Sequence, residues 1–182
     1  FWDPDKGWFT YWRDKDNSIH GDNLVTPVNF CAIAYGLAST EQAQQILSTT
    51  ETKMRAENLF HWPPCFLPYA ADEGGSGAFP AYENGDIFLS WGEVALRAYA
   101  GYDPSIAVAY VNRLLTQYKK DGLSYQRYLR ASQTGAGDDI LAGNSMTIVG
   151  LMRNIYGIRP QWNRLMLSAT PSVYLVRELV DS

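Results

Sequence analysis

The segment Tyr82-Glu83-Asn84-Gly85-Asp86 places two carboxylates and an amide immediately before an apolar run that starts at Ile87. Hydrolysis of a glycosidic bond needs that kind of material. One carboxylic acid protonates the leaving oxygen, and a second carboxylate activates water or attacks, at about 6.5–9.5 Å for inversion and about 5–5.5 Å for retention. Glu83 is the first candidate for one of them. The alternative is a capping turn, with Asn84 or Asp86 satisfying a helix N-terminus and Glu83 solvated.

A second carboxylate is sought in the same relation to another helix. Asp22, followed by Asn23, precedes the apolar run Leu24–Leu37, and Asp138-Asp139 precedes the run from Ile140. Asp22 is taken as the catalytic partner of Glu83, and Asp139 as a substrate contact. Each also reads as an N-cap. Glu93 has Arg97 four residues on, so a helical ion pair explains it. Arg13, Arg127 and Arg130 could orient sugar hydroxyls or pair with the loop carboxylates. Arg13 is kept with Asn84 and Asp86 in the expected binding set.

The chain is rich in rings, with 6 Trp, 12 Tyr and 7 Phe among 182 residues. Several sit beside Gly, Pro and acids, where a ring face can stack on a pyranose while the sugar hydroxyls meet Asp, Asn and Arg. Trp62, Phe79, Tyr82, Trp91 and Tyr125 are the candidate platforms, against the alternative of ordinary core packing.

Other chemistry drops out. Asp14-Lys15-Asp16-Asn17-Ser18 opens like a calcium loop, but Ile19 stands where the turn glycine belongs and Val25 where the closing Glu belongs. His20 and His61 are far apart, and Cys31 and Cys65 have no paired spacing, so no zinc ligand set exists. Gly74-Gly75-Ser76-Gly77-Ala78 lacks the closing glycine of a nucleophile elbow, and Gly135-Ala136-Gly137 the third glycine of a dinucleotide fingerprint. No metal and no cofactor is expected. The net charge of −4 and the absence of a basic cluster speak against nucleic acid. No apolar run reaches the roughly 18 residues that would span a bilayer.

The elements that would position these residues read as helices. Leu24–Leu37, with Pro27 in a first turn, is apolar on nearly every face. Ser39 caps a second, amphipathic helix with Gln42 completing a capping box. Ile87–Ala100 is again mostly apolar, Asp103-Pro104 opens an amphipathic fourth helix, and Ile140–Tyr156 makes a fifth that Gly157 ends. The first 23 residues read as an ordered loop or short hairpin, and Leu165–Leu167 as a possible strand within the tail 158–182. Residues 59–86 form a loop long enough to be functional. Buried and amphipathic helices alternate, which predicts an all-α hairpin array of inner and outer helices, with the long loops on the rim before the inner N-termini.

These pieces resemble the C-terminal half of the six-hairpin (α/α)6-toroid glycosidases, the superfamily of glucoamylases, trehalases and α-L-rhamnosidases. The resemblance is carried by Phe1-Trp2-Asp3 with Gly7-Trp8-Phe9, Gly21-Asp22-Asn23, Tyr82–Phe88, Gly157-Ile158-Arg159-Pro160 and Trp162-Asn163-Arg164-Leu165. It implies a partial toroid acting on an oligosaccharide or polysaccharide, by hydrolysis or as a noncatalytic saccharide-binding piece. It also implies a partner for the other half of the ring, either a second copy of this chain or a separate N-terminal half. The start at Phe1, inside what reads as a folded segment, predicts a truncated or processed chain.

Overall fold

The computed structural model describes residues 1–71, 73, 77–122, 125–138 and 141–168. Two hairpins come first, β1 (Trp2–Asp3) with β2 (Trp8–Phe9) and β3 (Trp12–Arg13) with β4 (Ile19–His20). Short polar side chains close both turns. The Asp3 carboxylate accepts the Asp5 and Lys6 amides at 3.0 and 3.2 Å, with Gly7 at φ +78°, and the Asp16 carboxylate accepts the Ser18 amide at 3.0 Å beside Asn17 at φ +70°.

Among the described residues, five α-helices follow: α1 (Thr26–Ala34), α2 (Thr40–Ala56), α3 (Gly92–Ala100), α4 (Pro104–Asp121) and α5 (Met146–Gly150). Between α4 and α5 lies the hairpin β5 (Arg127–Tyr128) with β6 (Gly135–Ala136), and after α5 the hairpin β7 (Ile158–Gln161) with β8 (Arg164–Leu167). Ser39 caps α2 as expected. Its hydroxyl accepts the Gln42 amide at 3.2 Å, and its own amide donates to the Gln42 side chain at 2.9 Å. Asp103 caps α4 through the Ser105 amide at 2.9 Å.

The expected class is overturned. Among the described residues, four two-stranded antiparallel sheets accompany the helices, so the chain is a mixed α/β fold and not an all-α toroid. The hairpins occupy stretches that lack helical period, and strands of two to four residues are too short to show an alternating pattern. The expected fifth helix is also composite, with a 3-10 turn over Ala142–Ser145, α5, and a π turn over Leu151–Ile155.

Helix α3 lies between α1 and α5. Glycines allow the approach to α5: a Cβ on Gly92 would overlap the Thr147 side chain and come 2.8 Å from its Cα, and one on Gly150 would sit 3.0 Å from the Glu93 Cα. No residue of α1 is exposed: Thr26, Pro27, Asn29, Phe30 and Ala32 are buried and the others half-buried, whereas Tyr35 and Leu37 just beyond it are 63% and 76% exposed, so the expected buried helix over Leu24–Leu37 ends before the apolar run does.

The core centres on aromatic side chains around one acid. Trp62 meets Phe30, Tyr99 and Tyr110 with ring centroids 5.7, 5.3 and 4.4 Å away. The carboxylate of Glu51 on α2 accepts the hydroxyls of Tyr99 on α3 and Tyr110 on α4 at 2.7 and 2.9 Å. A buried acid would be costly without such donors, and here it ties three helices together. No helix among the described residues is long and apolar enough to cross a membrane.

Candidate functional site

A groove of about 460 Å³ opens where the segments preceding α1, α3 and α5 meet. Val25, Pro27 and Val28 from the start of α1 form its floor with Pro64. Tyr69, Tyr82 and Glu83 come from the long loop, Phe88, Ser90 and Trp91 from the turn before α3, and Leu141 from the approach to α5. The groove sits where these segments meet in a mixed fold rather than on the rim of an all-α hairpin array.

The backbone positions these side chains by stitching the long loop to its surroundings. The Thr26 amide donates to the Pro64 carbonyl at 2.9 Å, and the amides of Phe66 and Leu67 both donate to the Asn23 carbonyl at 3.1 Å. Further on, Ile87 and Tyr128 exchange amide-to-carbonyl bonds of 2.8 and 2.9 Å. The tight turn Ala81–Asn84 projects Glu83 outward, with Tyr82 at φ +51°. Gly85 at φ +121° lies under the Phe79 ring, where a Cβ would come 2.8 Å from a ring carbon.

Glu83 is exposed, and its carboxylate has no hydrogen-bond or ion-pair partner among the described residues. Trp91 is 45% exposed. Tyr82 packs edge-on against Phe88 at 5.5 Å, with the Arg127 guanidinium 5.2 Å above its ring. Burial, reinforced by Cys65, Glu83 and Glu73 nearby, pushes the Tyr69 phenol up to about 12, so it remains a neutral hydroxyl at pH 7.

Glu83, Tyr82 and Trp91 are thus the expected residues that share this groove. Asn84 and Asp86 serve the loop instead. The Asn84 side chain accepts the Tyr69 amide at 3.1 Å and donates to the Gly77 carbonyl at 3.0 Å. Asp86, 1% exposed, accepts the Tyr82 amide at 2.8 Å, the Arg130 amide at 3.1 Å and the Arg127 guanidinium at 2.9 Å. With its oxygens so occupied and no exposed surface, it is an internal brace.

The remaining expected residues lie elsewhere. Asp22 is exposed and pairs with Lys6 of the first hairpin, outside the groove lining, and Val25 rather than an acid stands at the N-cap of α1. Trp62 is 2% exposed in the core, so no face of it is open to a sugar. Tyr125 covers Gly135 in the β5–β6 hairpin, and Arg13 is exposed on β3. Asp139 lies outside the described residues. Glu93 does not pair with Arg97. It faces Asn154 at 3.3 Å and Arg153 at 3.8 Å, while Arg97 lies over the Tyr35 ring at 4.6 Å.

Tyr69 and Leu141 were not legible as groove residues, because no motif marks them, and Phe88, though inside the Tyr82–Phe88 motif, was not singled out; each reaches the groove through a different segment. Among the described residues no cluster of His, Cys, Asp and Glu could hold a metal ion. The arrangement offers ring faces, hydroxyls and one free carboxylate, with no second acid lining the groove among the described residues. The chain matches no protein-family model and no curated protein.

Proposed function

We propose that the groove around Trp91 and Glu83 binds a saccharide without cleaving it. The observation that carries this reading is the combination of Trp91, Tyr82, Tyr69 and Phe88 with a single unpaired carboxylate in one open groove. Aromatic faces take the apolar C–H side of a pyranose, and Glu83 and the Tyr69 hydroxyl accept from and donate to its ring hydroxyls. Hydrolysis needs a second, suitably spaced carboxylate. The candidate for that role, Asp22, is held by Lys6 away from the groove lining.

The test is a binding titration by saturation-transfer NMR against an oligosaccharide panel, with product analysis of the same samples. The expected outcome is binding without product, weakened about tenfold or more in Trp91→Ala, the equivalent of about 1.4 kcal/mol. Glu83→Gln should weaken binding less, because the amide still offers an acceptor. Absence of binding across the panel refutes the reading. Turnover that disappears in Glu83→Gln would replace it with acid/base hydrolysis.

A further inference from the structure

His20, at the end of the second hairpin, has a carboxylate on each ring nitrogen. Nδ1 lies 2.8 Å from Glu73 Oε1, and Nε2 lies 3.0 Å from Asp14 Oδ2. Carboxylate oxygens only accept, whereas a neutral imidazole has one N–H and one lone pair. Only the imidazolium donates to both acids at once. In the neutral ring, one nitrogen would direct its lone pair at a carboxylate oxygen.

The two acids come from different parts of the chain. Asp14 belongs to the β3–β4 hairpin, whereas Glu73 lies in the long loop that supplies Tyr69, Tyr82 and Glu83 to the groove. The other oxygen of Glu73 accepts the Tyr11 hydroxyl at 2.6 Å and the Ala70 amide at 3.1 Å. Tyr11 also packs on Tyr69 with centroids 6.2 Å apart, and the Tyr69 amide donates to Asn84. One link therefore runs from the His20 ring through Glu73 to the wall of the groove. The Trp12 ring, 4.6 Å from that of His20, favours the cationic form further.

We propose that His20 is a pH-operated clasp: as imidazolium it ties the β3–β4 hairpin to the loop at Glu73 and holds the Tyr69 wall of the groove, and as neutral imidazole it releases one acid and loosens that wall. The titratable groups facing it are Asp14 and Asp16 from its own hairpin and Glu73 from the loop, with Tyr11 behind Glu73.

The sign of the pH dependence follows from both partners. The hydrogen bond to Asp14, with that to Glu73, raises the His20 pKa above 6.5 against a smaller opposing effect of burial. Burial alone would raise the Glu73 pKa, but the Tyr11 hydroxyl, the Ala70 amide and His20 together lower it below 4.5. The tie is complete between those ordinary values. It is lost as pH rises through the folded-state pKa of His20, and lost again as pH falls through that of Glu73.

The clasp concerns the groove wall whatever the groove binds, so its test uses no saccharide. NMR titration from about pH 5 to 9 follows the His20 ring together with the amides of Ala70 and Glu73. The chain has 2 histidines, and the other, His61, is buried with its pKa near 3, so a ring titrating in that range is His20. The expected result is one shared midpoint above 6.5 for the ring and both amides. In His20→Gln the amides should lose that transition. In Glu73→Gln, whose amide can donate or accept, the ring midpoint should fall. Amides that stay constant while His20 titrates, or a midpoint unchanged by Glu73→Gln, would overturn the clasp.

Discussion

Replacing Arg130 by Met removes the pin beneath the loop that carries Glu83. The guanidinium holds Glu57 by two bonds of 2.5 and 2.6 Å and donates to the carbonyls of Cys65 at 2.8 Å and of Gly85 and Phe66 at 3.4 Å. It also lies 5.3 Å from the Phe66 ring centre and 5.1 Å from that of Phe79. The Arg130 side chain is 4% exposed and that of Glu57 40%, so the two halves of the pair are unequal. Freed Glu57 returns to water, which limits the loss of the pair itself to about 1 kcal/mol. The interior side is costlier. A charged donor lost from a buried carbonyl costs about 1.5–3 kcal/mol, and desolvated ring contacts add about 1 kcal/mol. The total is about 4 kcal/mol, which for a chain of this size lowers Tm by roughly 8–16 °C. Met keeps most of the stem volume, so cavity formation contributes little. Calorimetric unfolding with urea titration at pH 7 measures the effect. Arg127→Met is a second case of the same kind, since Asp86, 1% exposed, then keeps its two backbone donors but loses its cation, with an expected loss of about 3–5 kcal/mol. A Tm drop under about 3 °C for Arg130→Met would refute the assignment of Arg130 as a brace of the loop.

Two further outcomes follow from packing and burial. Gly92→Ala should destabilise by about 1–3 kcal/mol or more through overpacking against α5. Adding Thr147→Ala should restore only part of that loss, since the Thr147 Cα remains 2.8 Å from the new Cβ, and urea midpoints of the single and double variants check this. His61 is buried and its Nε2 lies 2.8 Å from Thr147 Oγ1, with burial pushing its pKa down to about 3. The unfolded chain therefore binds a proton below about pH 6.5 that the folded chain refuses, and stability falls with decreasing pH at up to about 1.4 kcal/mol per unit. Between pH 6.5 and 5 that is about 2 kcal/mol, absent from the acid limb of His61→Gln in urea unfolding. An identical limb in the variant would assign the acid sensitivity to other groups.

Several elements were legible because local rules determine them. The Ser39–Gln42 capping box, the Asp103-Pro104 start and the apolar stripes placed α2 and α4 within a few residues of their observed bounds. The start of α1 at Thr26-Pro27 followed from proline in a first turn, and the approach to α3 supplied Tyr82, Glu83 and Trp91 to one groove. The hairpins were legible only in outline: the first 23 residues read as an ordered loop or short hairpin and Leu165–Leu167 as a strand, while the pairings themselves, and all of β5–β6, were not. Trp2–Asp3 against Trp8–Phe9 depends on side chains two or three residues apart accepting loop amides, and so short a pairing leaves no repeat to detect.

What the sequence by itself determined is the helices α2 and α4, the proline-marked start of α1 and the ring-rich composition, all properties of residues close together in the chain. Only the tertiary structure decided which acids are free. Asp22, Asp86 and Glu93 resemble Glu83 by residue type, yet each is claimed by a distant cation: Lys6, Arg127 and Arg153. Trp62 and Trp91 were equal candidates for the groove, yet one closes the core against Tyr99 and Tyr110 while the other stands open. The physical reason is common to both. Whether a polar or aromatic group is spent or available depends on what long-range packing brings to it, and pairing across tens of residues leaves no trace in local spacing.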